Sequence, residues 1–216
     1  QFPRLSLEHS VCKPLFERAR HPFEVLPCIH SFILLFSQSE QAKGYCEIHP
    51  LVFAHRSVNI SPSVVIEGPA IIGENTILRP NAYLRQDVVI GKNCVIGNST
   101  EIKNSILFDN VEVPHFNYIG DSLIGYDAHF GAGGHNKQFQ EDGSEIVLKE
   151  GEKRLPTGLR KMGAIVGDYA EIGCNVVLNP GSVIGNEARI YPLLSIRGFV
   201  DEKTIVKGEG AYVRIE

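Results

Sequence analysis

Arg85 and Lys103 stand 18 residues apart, and each directly follows an aliphatic residue, Leu84 and Ile102. If the chain returns on itself every 18 residues, the two cations stack one rung apart, about 5 Å from each other. Like charges that close repel. With no acidic residue read between them, the pair predicts an anion held there, with a sugar phosphate as the natural candidate. His115 follows twelve residues after Lys103, inside Pro114-His-Phe-Asn-Tyr-Ile-Gly-Asp121. That segment offers His115, Asn117, Tyr118 and Asp121 within one turn of chain. A histidine titrating near neutrality is the usual general base, and a carboxylate beside it can fix its tautomer.

The elements that must hold these groups are written in a six-residue period. Ile60, Ile66, Ile72, Leu78, Leu84, Ile90, Ile96 and Ile102 each follow the last by six. Four residues beyond each comes Val64, Ala70, Thr76, Ala82, Val88, Cys94, Thr100 or Ile106. The run reads as breaking near Pro114, resuming at Ile119 and Ile124, and returning from Val166 to Ile196. Internal repetition of this kind outranks local propensity. It predicts a parallel β-helix of triangular section, three hexads to a coil, with aliphatic side chains filling the interior and the small residue at the corner.

Two stretches stand outside the period. Residues 12–43 read as a short helical turn at Pro14 and a longer helix from Phe23 to about Lys43, packed on the first coils and covering their open edge. Residues 134–161 are polar and turn-rich around a short strand at Ile146-Val-Leu148, and read as a loop or hairpin projecting towards a cleft or a neighbouring subunit. The organisation expected is a helical cap over 1–47, β-helix over 48–133, the insertion over 134–161, last coils over 162–206 and a C-terminal tail over 207–216.

A net charge of −4 favours neither nucleic acid nor an anionic membrane as partner. Five scattered cysteines without a CxxC pair argue against a disulfide framework or a structural zinc site. No apolar run is long enough to span a bilayer and no signal arrangement opens the chain, so a cytoplasmic protein is expected.

Arg85, Glu-Ile-Lys-Asn at 101–104, the segment 114–121 and Gly-Ala-Gly at 131–133 together resemble the acetyltransferase half of bacterial glucosamine-1-phosphate N-acetyltransferases. The stretches 157–168 and 173–181 look like a branch found among sugar-phosphate nucleotidyltransferase-like proteins. The resemblance covers roughly residues 60–200. It implies a left-handed coil, an exception to the right-handed rule for parallel connections, and a homotrimer. It also implies acetyl-CoA as co-substrate with no metal, and a part in UDP-N-acetylglucosamine synthesis, with a separate uridylyltransferase as a possible partner. Arg85, Lys103 and Tyr118 would hold the sugar phosphate, and His115 would take the proton from the attacking amine. His129, Asn136 and Lys161 fall at sugar-side positions, and Cys174 and Pro192 at cofactor-side positions. To these we add the backbone amides of Gly131, Ala132 and Gly133 as donors to the thioester carbonyl. The family's asparagine two residues before Gly-Ala-Gly is His129 here, and its later serine is Cys174.

Other readings stay open on the same prism. One is an acyltransferase for a different, nucleotide-linked sugar. Another is a non-catalytic or regulatory scaffold. A γ-type carbonic anhydrase also shares an Arg-x-Asp like Arg85 and Asp87, but it needs three zinc-binding histidines, two of them five apart. His115, His129 and His135 are spaced 14 and 6.

Overall fold

A chain whose inward aliphatics recur every six residues, and whose rungs recur every 18, must turn three corners per coil. In the computed structural model it does so for about eight coils. The structure describes residues 2–136, 138–140, 143–208 and 210–215. The expected left-handed parallel β-helix with a short N-terminal helical segment is what the chain forms.

Among the described residues each prism face is one sheet. The first has nine strands, from Tyr45–His49 to Phe199–Val200; the second also has nine, from Asn59–Ile60 to Ala211–Arg214; the third has seven, from Val65–Ile66 to Ser195–Ile196. All pairings within the coils are parallel, with antiparallel pairs at the two ends. Ile72 pairs with Ile90, Leu78 with Ile96 and Leu84 with Ile102, all fully buried. Corners are turned through left-handed backbone at Asn75, Asn81, Asp87 and Asn93, with φ between 53° and 62°. Asparagine and aspartate tolerate that region best among residues with a side chain.

The hexad does not lapse at Pro114. The coil shortens by one residue at Asn104 instead, so that Val89 pairs with Ile106 and Glu101 with Tyr118, each 17 residues on. Leu107 and Val113 therefore take interior places, Ser105 takes the corner slot beside Val88, and Ile106 turns outward.

The N-terminal segment differs from expectation in form and in place. A four-residue helix, Lys13–Phe16, is followed by a 3-10 stretch at Pro22–Cys28, an α-helix at Ile29–Phe36 and a further 3-10 turn at Glu40–Ala42. Pro27 has no N–H to donate and its ring crowds the preceding turn, so the α-helix begins only after it. The segment lies along the outside of the first face rather than over the open end. The Phe2 ring sits 5.8 Å from Phe199, the Ser6 amide donates to Asp168 at 2.9 Å, and His9 stacks on Tyr126 at 3.9 Å. Phe16 meets Phe108 at 5.6 Å, and Phe36 meets Phe53 at 5.7 Å. It thus runs from the last coil back to the first. Under it the outward side chains Ile71, Val89, Ile106, Leu123, Ile165 and Val183 are buried, which is why this face is apolar on both sides.

The insertion folds against the same face instead of projecting. The β-helix strand His135–Asn136 precedes it, and Val147–Glu150 then pairs antiparallel with Lys153–Pro156. Ile146, Leu148 and Met162 are buried in the cluster that holds the N-terminal segment. The stretch read as a tail contains Ala211–Arg214, paired antiparallel with Thr204–Gly208. Among the described residues no helix is long and apolar enough to cross a membrane.

Candidate functional site

Register places the groups the sequence singled out. Leu84 pairs with Ile102, so Arg85 and Lys103, the next residue on each strand, stack on successive rungs of the third face. They are not bare cations, however. Arg85 Nη1 donates to Glu101 Oε1 at 3.1 Å, and Lys103 Nζ donates to Asp121 Oδ2 at 3.1 Å. Asp121 also accepts from Asn104 Nδ2 at 2.7 Å, and its side chain is only 5% exposed. Glu101 shares the outward side of its strand with Lys103, yet register brings it to Arg85 on the rung below. The expectation of an anion trapped between unpaired cations is therefore corrected: each cation already has a carboxylate.

Tyr118 stands outward on the same face, one rung above Glu101. Its hydroxyl accepts from Gln138 Nε2 at 2.5 Å. Burial, then the charges of Glu101 and Asp121, push its phenol above the ordinary tyrosine value, so it stays a neutral hydroxyl at physiological pH. Gly120 makes this arrangement possible. A Cβ there would fall 1.5 Å from Gln138 Nε2, so the absent side chain is the space the glutamine crosses. Sequence reasoning passed over Gln138, and its only signal was its place just beyond the last strand before the insertion.

His115 ends the second-face strand Glu112–His115 and is exposed at the corner shared with the third face. Asp121 does not orient it, because that carboxylate is engaged by Lys103 and Asn104. Gly120, the rung-mate of Lys103, stands five positions beyond His115. The two edges of the face are thus at most about 16 Å apart along extended chain. Asn117 fixes the turn between, donating to the His115 carbonyl at 2.8 Å and accepting from the Gly134 amide at 2.7 Å.

The corner column is read directly from pairing. Glu112 lies under His129 and Phe130 under Ile172, so His115 lies under Ala132, which in turn lies under Cys174 and then Pro192. The turn proposed as an oxyanion cradle is largely committed. Gly131 N donates to the Ile172 carbonyl at 2.6 Å and Gly133 N to the His115 carbonyl at 3.2 Å. The Ala132 amide is the one not so engaged among the described residues. Cys174 is an exposed free thiol whose sulfur would lie 2.8 Å from a Cβ on Gly131.

Three other expected residues fall elsewhere. His129 faces out from the second face, around the corner from Tyr118, with Nδ1 3.2 Å from Glu171 and Nε2 4.0 Å from Glu112. Asn136 is fully buried inside the prism, paired in register with Leu178, and cannot touch a substrate in solution. Its Nδ2 donates to Ser122 Oγ at 3.1 Å, and its Oδ1 has no partner among the described residues. Lys161 is exposed where the insertion rejoins the coil, and the next residue, Met162, donates its amide to the Gln138 carbonyl at 2.8 Å. Among the described residues no cluster of three or more His, Cys, Asp or Glu is arranged to hold a metal.

A family model described as the GMPPB C-terminal domain matches residues 66–150. A bifunctional sugar-1-phosphate nucleotidylyltransferase/acetyltransferase of Sulfurisphaera tokodaii is 40% identical over 88 residues, 41% of this chain and 22% of that protein. The chain is similar to the sugar-1-phosphate nucleotidylyltransferase/acetyltransferases. A bifunctional protein GlmU of Methanococcus maripaludis is 36% identical over 102 residues, 47% of this chain and 25% of that one. The chain thus spans about a quarter of the length of these nucleotidylyltransferase/acetyltransferase relatives. Among solved structures, AntD, an N-acyltransferase from Bacillus cereus in complex with dTDP and 3-hydroxybutyryl-CoA, is 17% identical. It covers 74% of this chain and 80% of its own, with a TM-score of 0.41.

Proposed function

We propose that this chain is an acetyltransferase that moves an acetyl group from acetyl-CoA to the amine of an amino-sugar phosphate, glucosamine 1-phosphate first among them. The observation that carries the reading is the third face itself. It presents Arg85, Lys103 and Tyr118 on adjacent rungs, with His115 at its far edge. A sugar phosphate lying on that face would meet the two cations and the Tyr118 hydroxyl and turn the amine on its neighbouring carbon towards His115. His115 takes the proton as the amine attacks the thioester, and the Ala132 amide, one rung above, is the remaining donor for the carbonyl oxygen. Coenzyme A then lies along the corner past Cys174 and Pro192. Holding amine and thioester together contributes alongside base catalysis.

His115 is exposed on a convex corner, open to a second copy of the chain, in keeping with a trimeric enzyme whose sites lie between subunits. The activity belongs in sugar-nucleotide synthesis. A second reading, a non-catalytic scaffold, is favoured by the two committed amides of the Gly131–Gly133 turn and by the pairing of both cations.

Thiol release from acetyl-CoA in the presence of glucosamine 1-phosphate tests the choice. The enzyme reading expects release that His115→Ala lowers by at least about a hundredfold with the fold intact. A folded oligomer that releases no thiol with any amino-sugar phosphate removes it in favour of the scaffold.

A further inference from the structure

The insertion leaves the coil after the strand His135–Asn136, and both of its ends close on the third face. Met162 donates its amide to the Gln138 carbonyl at 2.8 Å, and Gly163 donates to the Asp121 carbonyl at 2.8 Å. The Gln138 backbone is thereby pinned beside Asp121. Its side chain does not run out to solvent. The residue is only 8% exposed and turns back across Gly120 to the Tyr118 hydroxyl.

Tyr118 reaches the same point from the other side. A Cβ on Gly120 would fall 2.7 Å from the Tyr118 hydroxyl as well as 1.5 Å from Gln138 Nε2. The phenol ring therefore lies along its own strand, from the His115 side towards the rung-mate of Lys103. One missing side chain houses both polar ends.

Proton counting gives this contact its meaning. A phenol has one proton to give and two lone pairs to receive with, whereas an amide nitrogen only gives. Gln138 Nε2 thus occupies a lone pair and leaves the phenol proton unspent. Among the described residues no acceptor takes that proton: Glu101 receives Arg85, and Asp121 receives Lys103 and Asn104. A neutral hydroxyl with its proton free, beside the rung of Lys103, suits an acceptor such as a phosphate oxygen.

We infer that Gln138 is a positioning residue for anion recognition: by donating to the Tyr118 oxygen it turns the phenol proton outward, where it meets a phosphate oxygen. The inference rests on the sugar-phosphate reading above for its ligand. It gives the insertion a part in that site through a residue near its start.

The test is a double-variant cycle on the full chain, read by calorimetric titration with glucosamine 1-phosphate and, as second probe, inorganic phosphate. Gln138→Met keeps the length of the side chain but cannot donate. It should raise the dissociation constant about fivefold, the worth of one neutral hydrogen bond. Tyr118→Phe should raise it at least as much, and the double variant no further, because Gln138 acts through the hydroxyl. Gly120→Ala crowds the same notch while keeping both side chains, and should weaken binding likewise. A reading free of ligand comes from the Tyr118 ring-carbon NMR resonance, assigned by its loss in Tyr118→Phe. Gln138→Met removes a bond that favours the phenolate, so the phenol should titrate at higher pH. Effects that multiply in the double variant overturn the positioning role, because a merely structural glutamine would act without the hydroxyl. So do an unmoved phenol titration and parent-like binding in Gln138→Met or Gly120→Ala. If inorganic phosphate completes the cycle and glucosamine 1-phosphate does not bind, the amino-sugar reading falls and the positioning role stands. Acetyl transfer to glucosamine 1-phosphate with binding indifferent to Gln138→Met does the reverse. If neither probe binds, both fall.

Discussion

Asn136 offers the sharpest test of what the β-helix register means, because its family-like position points to a substrate while its packing points to the interior. The perturbation is Asn136→Leu. In the parent, Oδ1 is buried without a partner among the described residues, and an unmade hydrogen bond of that kind costs about 1–3 kcal/mol. The substitution removes that cost and buries an aliphatic side chain, worth about 1.5–3 kcal/mol. Against this stands the bond from Nδ2 to Ser122 Oγ, worth about 1 kcal/mol. Ser122 itself stays satisfied, since its hydroxyl donates to the Gly120 carbonyl and accepts from the Ala164 amide. Overpacking can cost about 1–3 kcal/mol, but Ile119 and Leu178 fill the same phase on the rungs either side, so the low end applies. The net is about 2 kcal/mol of stabilisation, a rise of about 4–8 °C in thermal midpoint for a chain of this size. Calorimetry reads the midpoint, and sugar titration reads the dissociation constant, which should not move. A lower midpoint would mean that Oδ1 is satisfied after all, and a weakened sugar complex would mean that the side chain reaches the sugar; either result refutes the interior assignment.

Three further outcomes follow from the same geometry. Gly97→Ala should lower stability by about 3 kcal/mol or more in a urea titration, because its Cβ would fall 1.3 Å from the Pro114 carbonyl oxygen. Lys103→Met strips the 5%-exposed Asp121 of its cation and should cost about 2 kcal/mol, part of which the double variant with Asp121→Asn recovers. Tyr45 is pushed up to about 12 by burial, with Asp109 and Glu74 adding to the effect. A raised folded value means the native state holds its proton longer, so stability should fall as pH climbs from about 10 towards 12, and Tyr45→Phe should flatten that limb of a pH-dependent melting series.

How much was legible in the sequence differs by element. The interior column was plain, because one aliphatic every six residues has no other economical explanation, and it alone stacks Arg85 under Lys103. The shortening at Asn104 was not, since Ile106 fell on the expected corner step by accident while Ser105 held the true corner and Leu107 the interior place. The landing site of the N-terminal segment left a signal that went unread. Ile71, Val89, Ile106 and Leu123 lie just before interior residues and are apolar on one face only, as a face that carries a second layer must be. The neutralising partners Glu101 and Asp121 are polar residues at ordinary strand and corner positions, and only register reveals which cation each one meets. Asn136 carried two meanings at once, a family position and an interior phase, and periodicity was the better guide.

The path of the N-terminal segment has a consequence for how the molecule assembles. A bare solenoid is quasi-one-dimensional: each coil contacts its neighbours, and folding can begin anywhere and spread. Here Phe2 rests on Phe199 while Phe36 rests on Phe53, so one stretch of chain touches both ends of the stack. The apolar face it covers stays bare until the last coils exist, and Phe2 must wait for Phe199. That raises contact order and slows folding, but it ties independent rungs into one cooperative unit. Fraying at either end of the stack then costs contacts along the whole face.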